Sequence, residues 1–505
     1  MQENKRKKYI KNIIFSIFSK VIIFALGIII PRLIILNYGS GANGLLSSVG
    51  DIYTYVALIE AGVGVAATQA LYKPLAENNR DNVSGVLVAT QNYFRRLIKW
   101  YVLAVLVFSC AYPLFVSSEF SYPIVFGVIF VQGISHILTY YFASTLIQLL
   151  SADGYEYISQ AISLLVFILN SVIKIVLLSL QINLVVVQCG YCVVNIIQIV
   201  VIRCFVRKKY SWINWGTQPN NQALAKKNRY MLNGVAWTIF SSTDTILLSL
   251  ICGLTITSIY SVYNLIYANL SAVVIIFYSS TYFILGQIFH ESKEKFMEMY
   301  DSVEALFTGL TFAIFSVAYV LILPFVSLYT QGADVTYTDK YLPLLFSLVQ
   351  ILSNTRLLSG HVVNVCNQPQ LINRDSIIEV CINLVVSIIL VFWIGIYGVL
   401  IGTILALLYK AIRLIYVANR KLLNRSPWGT YKVYLVNFLL FLGVIIFNHF
   451  VKPNILSYGQ FILFGIIYTV GLLSVFFMAN LIIEPKILRV FKPLLGKIFK
   501  TSKKR

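Results

Sequence analysis

Fourteen long apolar runs recur along the chain, separated by connections too short to fold on their own. A helix needs about 20 apolar residues to cross a bilayer. In lipid every backbone N–H and C=O must be satisfied within the segment, so such runs fold as helices. They lie at about 11–37, 43–72, 83–117, 123–150, 155–179, 182–206, 228–253, 257–288, 298–328, 340–366, 372–393, 396–419, 431–450 and 459–483. Of 505 residues, the spans use roughly 350 and leave on the order of ten for each connection. That leaves no room for an extramembrane domain. The predicted class is an all-α polytopic membrane protein.

Composition agrees. Charged residues make up 12% of the chain, against about 25% in soluble domains. Mean hydropathy is +0.80. An ordinary soluble enzyme, a disordered chain and a fibrous chain are all excluded.

Net charge is +21, from 40 basic and 19 acidic residues. A nucleic-acid partner is excluded because the chain is too apolar. The alternative is a positive cytoplasmic face. The odd-numbered connections hold only Lys340 and Lys452. The even-numbered ones hold Lys73, Arg80, Arg207, Lys208, Lys209, Lys226, Lys227, Lys293, Lys295, Arg374, Arg420, Lys421 and Arg425. The segment from Lys486 to Arg505 adds eight more basic residues. An odd helix count would break this one-sidedness, so fourteen helices with both termini cytoplasmic are expected. The start, Lys5-Arg6-Lys7-Lys8 and then an apolar stretch, resembles a signal peptide. That stretch is too long for a signal core and no small-residue cleavage site follows, so it reads as a retained first helix.

The basic connection 207–227 divides the first twelve helices into six and six. Each half opens with a polar-interrupted helix, then a long helix and a short charged turn. Parallel repeats of this kind are a transporter architecture. The expected organisation is a six-helix lobe over 1–206, a connection over 207–227, a second six-helix lobe over 228–420, helices 13 and 14 over 421–485, and a basic cytoplasmic tail over 486–505. The tail alternates basic and apolar residues, which suits an interfacial helix on an anionic leaflet or a frayed end.

Ionisable residues inside spans are costly and mark function by default. Lys20 and Arg32 fall in helix 1, Asp51 and Glu60 in helix 2, Lys174 in helix 5, Asp244 in helix 7, Arg356 and His361 in helix 10, Glu379 in helix 11, and Lys410 and Arg413 in helix 12. Lys410 and Arg413 are close enough to the cytoplasmic end to snorkel, and Glu379 is near the same face. Arg356 has no such excuse. It stands near mid-helix among Gln350, Ser353, Asn354, Thr355 and Ser359, a stripe expected to face an aqueous cavity. Asp244, in Ser241-Ser242-Thr243-Asp244-Thr245, and Glu60, before Ala61-Gly62-Val63-Gly64, suit proton or Na⁺ uptake; Asp51 is a further candidate. The competing reading of these charges is ion pairing within the bundle.

Several chemistries are missing from the sequence. It has no Walker A glycine loop, and its four histidines show no ligand spacing. No cofactor is implied. Cys189-Gly-Tyr-Cys192 lacks the βαβ context of a redox motif and reads as helix filler. The G-x-x-x-G pair Gly398 and Gly402 is expected to let helix 12 pack closely. No outward connection exceeds about a dozen residues, too little for a membrane polymerase or ligase to hold carboxylates outside.

The segment 36–48, with Asn43-Gly44, resembles the turn between helices 1 and 2 of polysaccharide-repeat flippases. Glu60-Ala-Gly-Val-Gly64, the segment 70–76 and Ser151-Ala-Asp-Gly-Tyr155 extend the likeness. So do Arg374 to Glu379, Asn383, Ser387, Gly395, Gly398 and Gly402-Thr403. That family is the O-antigen and capsule flippase group of the multidrug/oligosaccharidyl-lipid/polysaccharide exporter superfamily. The resemblance implies two six-helix lobes around a central cavity, with two C-terminal helices beside them. It also implies a polyprenyl-pyrophosphate-linked oligosaccharide as substrate, moved from the inner to the outer leaflet of a bacterial cytoplasmic (inner) membrane by alternating access driven by an ion gradient. Further implied partners are the surrounding bacterial membrane lipids, a polysaccharide polymerase and a chain-length regulator. Basic cavity residues bind pyrophosphate in that superfamily, a role that Lys20, Arg32, Lys174 and Arg356 fit chemically. Glu60, Asp244 and Asp51 are the ion-coupling candidates. A cation-coupled multidrug exporter of the same superfamily is the main rival.

Overall fold

The computed structural model describes residues 22–60, 63–224, 227–366, 368–451, 453 and 455–487. Among them there is helix and connection but no strand. The helices are α1 (Ile22–Tyr38), α2 (Ser40–Val56), α3 (Val63–Ala76), α4 (Arg80–Phe115), α5 (Tyr122–Phe142), α6 (Ser144–Ala152), α7 (Glu156–Ser179) and α8 (Leu184–Lys209). The order continues with α9 (Lys227–Ile251), α10 (Leu254–Glu291), α11 (Lys293–Tyr329), α12 (Leu342–Val365), α13 (Gln370–Ile394), α14 (Ile396–Tyr416), α15 (Trp428–Phe450) and α16 (Tyr458–Ile483). Eleven are long and apolar enough to cross a membrane. With α1, the pair α2–α3 and α9, they occupy the fourteen expected positions. The chain is a polytopic α-helical membrane protein.

Two expected helices are broken. Helix 2 divides into α2, a 3₁₀ turn over Ala57–Glu60, and α3. Helix 4 divides at Ala143 into α5 and α6. The start of helix 2 also differs from expectation: the connection after α1 is a single residue, Gly39, at φ 83°. A β-carbon would be strained there. The reason α2 begins so early is a distant carboxylate. Asp334, in the connection after α11, accepts from the Ser40 N–H at 3.0 Å and from its hydroxyl at 2.5 Å. This supplies the N-terminal acceptor that the local sequence lacks.

The chain forms two compact units, residues 1–261 with 332–335, and 262–331 with 336–505. The boundary falls inside α10. In the first unit α9 packs on α2 and α3. Gly44 lets α2 meet the start of α10: a β-carbon there would lie 1.9 Å from the Leu254 carbonyl oxygen. Beside it, the Asn43 amide donates to Ser258 at 2.9 Å and Ser261 at 3.1 Å. The connection 210–224 is folded against the start of α4. Asn220 N–H donates to the Gly85 carbonyl at 3.0 Å, and Leu224 is buried with Val63, Ala66 and Phe94. Cys189 and Cys192 are free thiols on α8.

In the second unit α13 and α14 form a close antiparallel hairpin. The buried residues of α13 are Asp375, Glu379, Asn383, Ser387 and Val391, one at every fourth position. Gly398, Gly402, Ala406 and Lys410 form the matching stripe on α14, and all are buried. A β-carbon at Gly398 would lie 2.4 Å from the Leu390 carbonyl carbon, and one at Gly402 would lie 2.8 Å from the Ser387 nitrogen. The expected close packing at this G-x-x-x-G is therefore real, and small residues are what bring helix backbones together in lipid. Helices α15 and α16 lie on α11. Asn437 and Asn480 exchange amide hydrogen bonds of 3.0 and 2.8 Å between α15 and α16.

Candidate functional site

In the first unit, α2 and α9 bring two carboxylates into one polar cluster. Asp244 is 5% exposed and accepts from the Tyr260 hydroxyl of α10 at 3.2 Å. The hydroxyls of Ser242 and Thr245 face the carboxylate of Asp51. Both acids are within electrostatic reach of Tyr55 and Tyr260. The Tyr55 hydroxyl pairs with Thr243 and donates to the Ile239 carbonyl at 3.2 Å. Residues 242–245 span about one turn of α9, and Ser242, Thr243, Asp244 and Thr245 are all buried, so the helix is enclosed on every side at this level. Two carboxylates among hydroxyls in a low dielectric form an all-oxygen environment suited to a proton or a small hard cation.

In the second unit, charges meet where α12, α13 and α14 pack. Arg356 donates from Nη1 to Glu379. Lys410 lies with Nζ 3.9 Å from the other Glu379 oxygen and donates to Ser376 at 2.5 Å. Arg413 donates to Asp375 at 3.1 Å, and Tyr409 donates to the same carboxylate at 2.9 Å. Further along, Asn383 donates to Thr403 at 2.9 Å.

These placements change two expectations. The polar stripe of α12 is largely packed inside the protein: Asn354, Thr355, Arg356 and Ser359 are buried, and Gln350 and Ser353 are half-buried. Asn354 pairs with Ser271 at 2.9 Å, and Tyr434 donates to the Thr355 carbonyl at 2.7 Å. A low-dielectric interior leaves polar groups to satisfy one another. Lys410 does not snorkel; it is 4% exposed. The four-residue stripe that presses α14 onto α13 carries it into the interface.

The other sequence-derived candidates are dispersed. Arg32 is half-buried on α1. Lys174 is half-buried on α7, with its ammonium 4.9 Å from the centroid of the Tyr191 ring. Lys20 and the side chain of Glu60 lie outside the described residues. Of the three ion-coupling candidates, the structure brings together Asp51 and Asp244.

Sequence reading missed Glu304. It is 3% exposed on α11 and accepts from Tyr300 at 3.0 Å and Thr430 at 2.9 Å. The i, i+4 spacing of Tyr300 and Glu304 was the available signal. Arg425, read only as a loop charge, donates to Asp301 at 2.5 Å and to Asn419 at 2.6 Å.

No known family model and no curated protein matches the chain by sequence. Solved structures do match. The lipid II flippase MurJ in an inward closed conformation is similar over 92% of this chain and 99% of its own, with TM-score 0.67 and 14% identity. An inward-facing multidrug resistance MATE family transporter of the MOP superfamily is similar over 84% of this chain and 94% of its own, with TM-score 0.63 and 13% identity. An outward-facing transporter of that family covers 86% and 93%, with TM-score 0.51 and 12% identity. The chain therefore has the all-helical fold found in MATE family transporters and in MurJ.

Proposed function

We propose that this protein is a flippase. It moves polyprenyl-pyrophosphate-linked oligosaccharide units from the inner to the outer leaflet of a bacterial cytoplasmic membrane for surface-polysaccharide assembly. The observation that carries the reading is the fold shared with MurJ across 92% of the chain, in a protein of net charge +21. The one-sided distribution of Lys and Arg supports cytoplasmic termini. On this reading the protein is a transporter and not an enzyme, and it works beside a polymerase and a chain-length regulator.

Movement proceeds by alternating access. The oligosaccharide pyrophosphate is held by basic groups while the polyprenyl tail stays in lipid. Lys20, Arg32, Lys174 and Arg356 are the proposed phosphate ligands. Arg356 differs from the others because it must exchange the Glu379 carboxylate for a phosphate oxygen, an exchange its forked donor geometry allows. The Asp51–Asp244 cluster, with Glu60, is the proposed site of ion coupling. The two six-helix repeats, 1–206 and 228–420, are the proposed moving bodies.

A multidrug exporter is the second reading. The acidic pair Asp51 and Asp244 favours it, because buried carboxylates also suit cationic drugs.

The test is transbilayer movement of a labelled polyprenyl-pyrophosphate oligosaccharide in proteoliposomes, for the wild type, Arg32→Gln and Arg356→Gln. Fast movement in the wild type that is lost in the variants establishes the flippase and its ligands. No movement by folded wild-type protein, together with gradient-driven efflux of a cationic dye, replaces it with the exporter.

A further inference from the structure

The first unit contains a cavity that none of the preceding chemistry uses. It measures about 480 Å³ and lies where α4, the α5–α6 break and the end of α8 meet, covered by the segment after Tyr210. That volume falls within the range of small-molecule sites, about 300–1,000 Å³. Arg95, Arg203 and Arg207 line it, together with Gln91, Tyr141 and Trp215. No acidic residue is among its lining residues.

The break in helix 4 builds this site. At Ala143 the Leu146 N–H turns to the Ala143 carbonyl, at 2.9 Å, and away from Phe142. Arg203 on α8 takes the vacated Phe142 carbonyl with Nε at 3.2 Å, as a lost intrahelical bond requires. Its guanidinium lies 4.4 Å from the Phe142 ring centroid. One edge of the Arg203 fork is thus fixed to the protein. Its Nη groups donate to no protein acceptor among the described residues.

Arg95 and Arg207 lie within electrostatic reach of Arg203. Arg95 is placed over the Tyr141 ring at 5.6 Å. Among the described residues none of the three has a carboxylate partner. Tyr210, which lines the cavity, donates its hydroxyl to Asp153 at 2.7 Å. Burial and this carboxylate together push the Tyr210 phenol well above its ordinary value, so it stays a neutral donor. Three like charges gathered on one wall, two of them on exposed side chains, raise the local positive potential and favour an anion there.

We propose that this pocket binds the phosphate headgroup of a lipid. Guanidinium forks match phosphate oxygens in pairs. The aromatic rims of Tyr141 and Trp215 suit the polar–apolar boundary where headgroups lie. The end of α8, which runs into Lys208 and Lys209, is the end that the charge distribution assigns to the inner leaflet. The site stands whether the transported cargo is a lipid-linked glycan or a drug. Its ligand is either a bilayer phospholipid or a polyprenyl diphosphate, which share the phosphate chemistry.

The test is equilibrium binding to the full-length protein in detergent. The probes are dioctanoyl phosphatidylglycerol, farnesyl diphosphate and inorganic pyrophosphate. The variant is Arg95→Gln/Arg207→Gln, two exposed positions, with its melting temperature checked against the wild type. The charge-matched control is Lys99→Gln/Lys208→Gln, which removes two exposed cations that do not line the cavity. The expected result is binding of a lipid probe that weakens by about tenfold or more in the variant and not in the control. Phosphatidylglycerol binding identifies the bilayer as the source, and binding of farnesyl diphosphate alone identifies the polyprenyl carrier. Equal affinity in wild type and variant overturns the site. An equal loss in variant and control reduces it to general surface charge and overturns it too. Pyrophosphate binding as tightly as either lipid overturns the lipid assignment.

Discussion

Arg356 and Glu379 form an ion pair between α12 and α13 in which each side chain is at most about one-tenth exposed. The pair is not closed. Lys410 shares the carboxylate from α14, so one acid holds two cations.

This asymmetry predicts unequal damage. Glu379→Gln strands two buried cations and is expected to cost about 3–5 kcal/mol, the range for a broken buried pair. Arg356→Gln leaves Glu379 with Lys410 and is expected to cost roughly 1–3 kcal/mol. Thermal unfolding in detergent measures both; equal shifts would sink the shared-acid arrangement.

The contact of α14 with α13 depends on the absence of two side chains. Gly402→Val places atoms against the Ser387 backbone and is expected to destabilise by about 3 kcal/mol or more. Gly429→Ala, at a position on α15 with nothing within 4 Å, is the control and leaves the melting temperature unchanged or slightly raised, because alanine is the better helix former.

Asp334 caps α2 across a long sequence separation. Asp334→Ala is expected to cost about 1–2 kcal/mol, and Asp334→Asn less, because one acceptor oxygen remains. Hydrogen exchange of the Ser40–Asn43 amides reads the effect locally: faster exchange confined to that turn confirms the cap, and unchanged exchange refutes it.

For the acid cluster, Asp51→Asn and Asp244→Asn are each expected to reduce gradient-driven transport to the rate seen without a gradient, with folding retained. Transport in proteoliposomes with and without an imposed H⁺ or Na⁺ gradient decides it. A variant that still responds to the gradient removes that residue from coupling.

The fourteen helices were legible because a bilayer forces long apolar runs to satisfy their own backbone. The ends of α2 and α5 were less so. The early start of α2 depends on Asp334, almost three hundred residues away, and no local pattern reports such a partner. The Gly398–Gly402 contact was legible from spacing alone. The burial of Lys410 lay in the same spacing, eight residues beyond Gly402, but nearness to a helix end pointed the other way. Arg356 stood out as an unexcused charge, yet its partner Glu379 could be named only once the neighbour of α12 was known. Asp51 and Asp244 were recognised one by one as costly acids. Their meeting depends on α9 packing against α2, which no stretch of either helix encodes.

The polar rungs of α13 have one more consequence. Ser376 meets Lys410, Asn383 meets Thr403, and Ser387 donates to the Val399 carbonyl. Each step up one helix is matched by an equal step down the other. Between helices in lipid, apolar side chains gain little by choosing one neighbour over another, because the lipid tails are just as apolar. A greasy interface would slide. Here the hydrogen-bonding residues act as the teeth of a ratchet: a one-turn slip would break all three contacts together, so the hairpin can move only as a single piece.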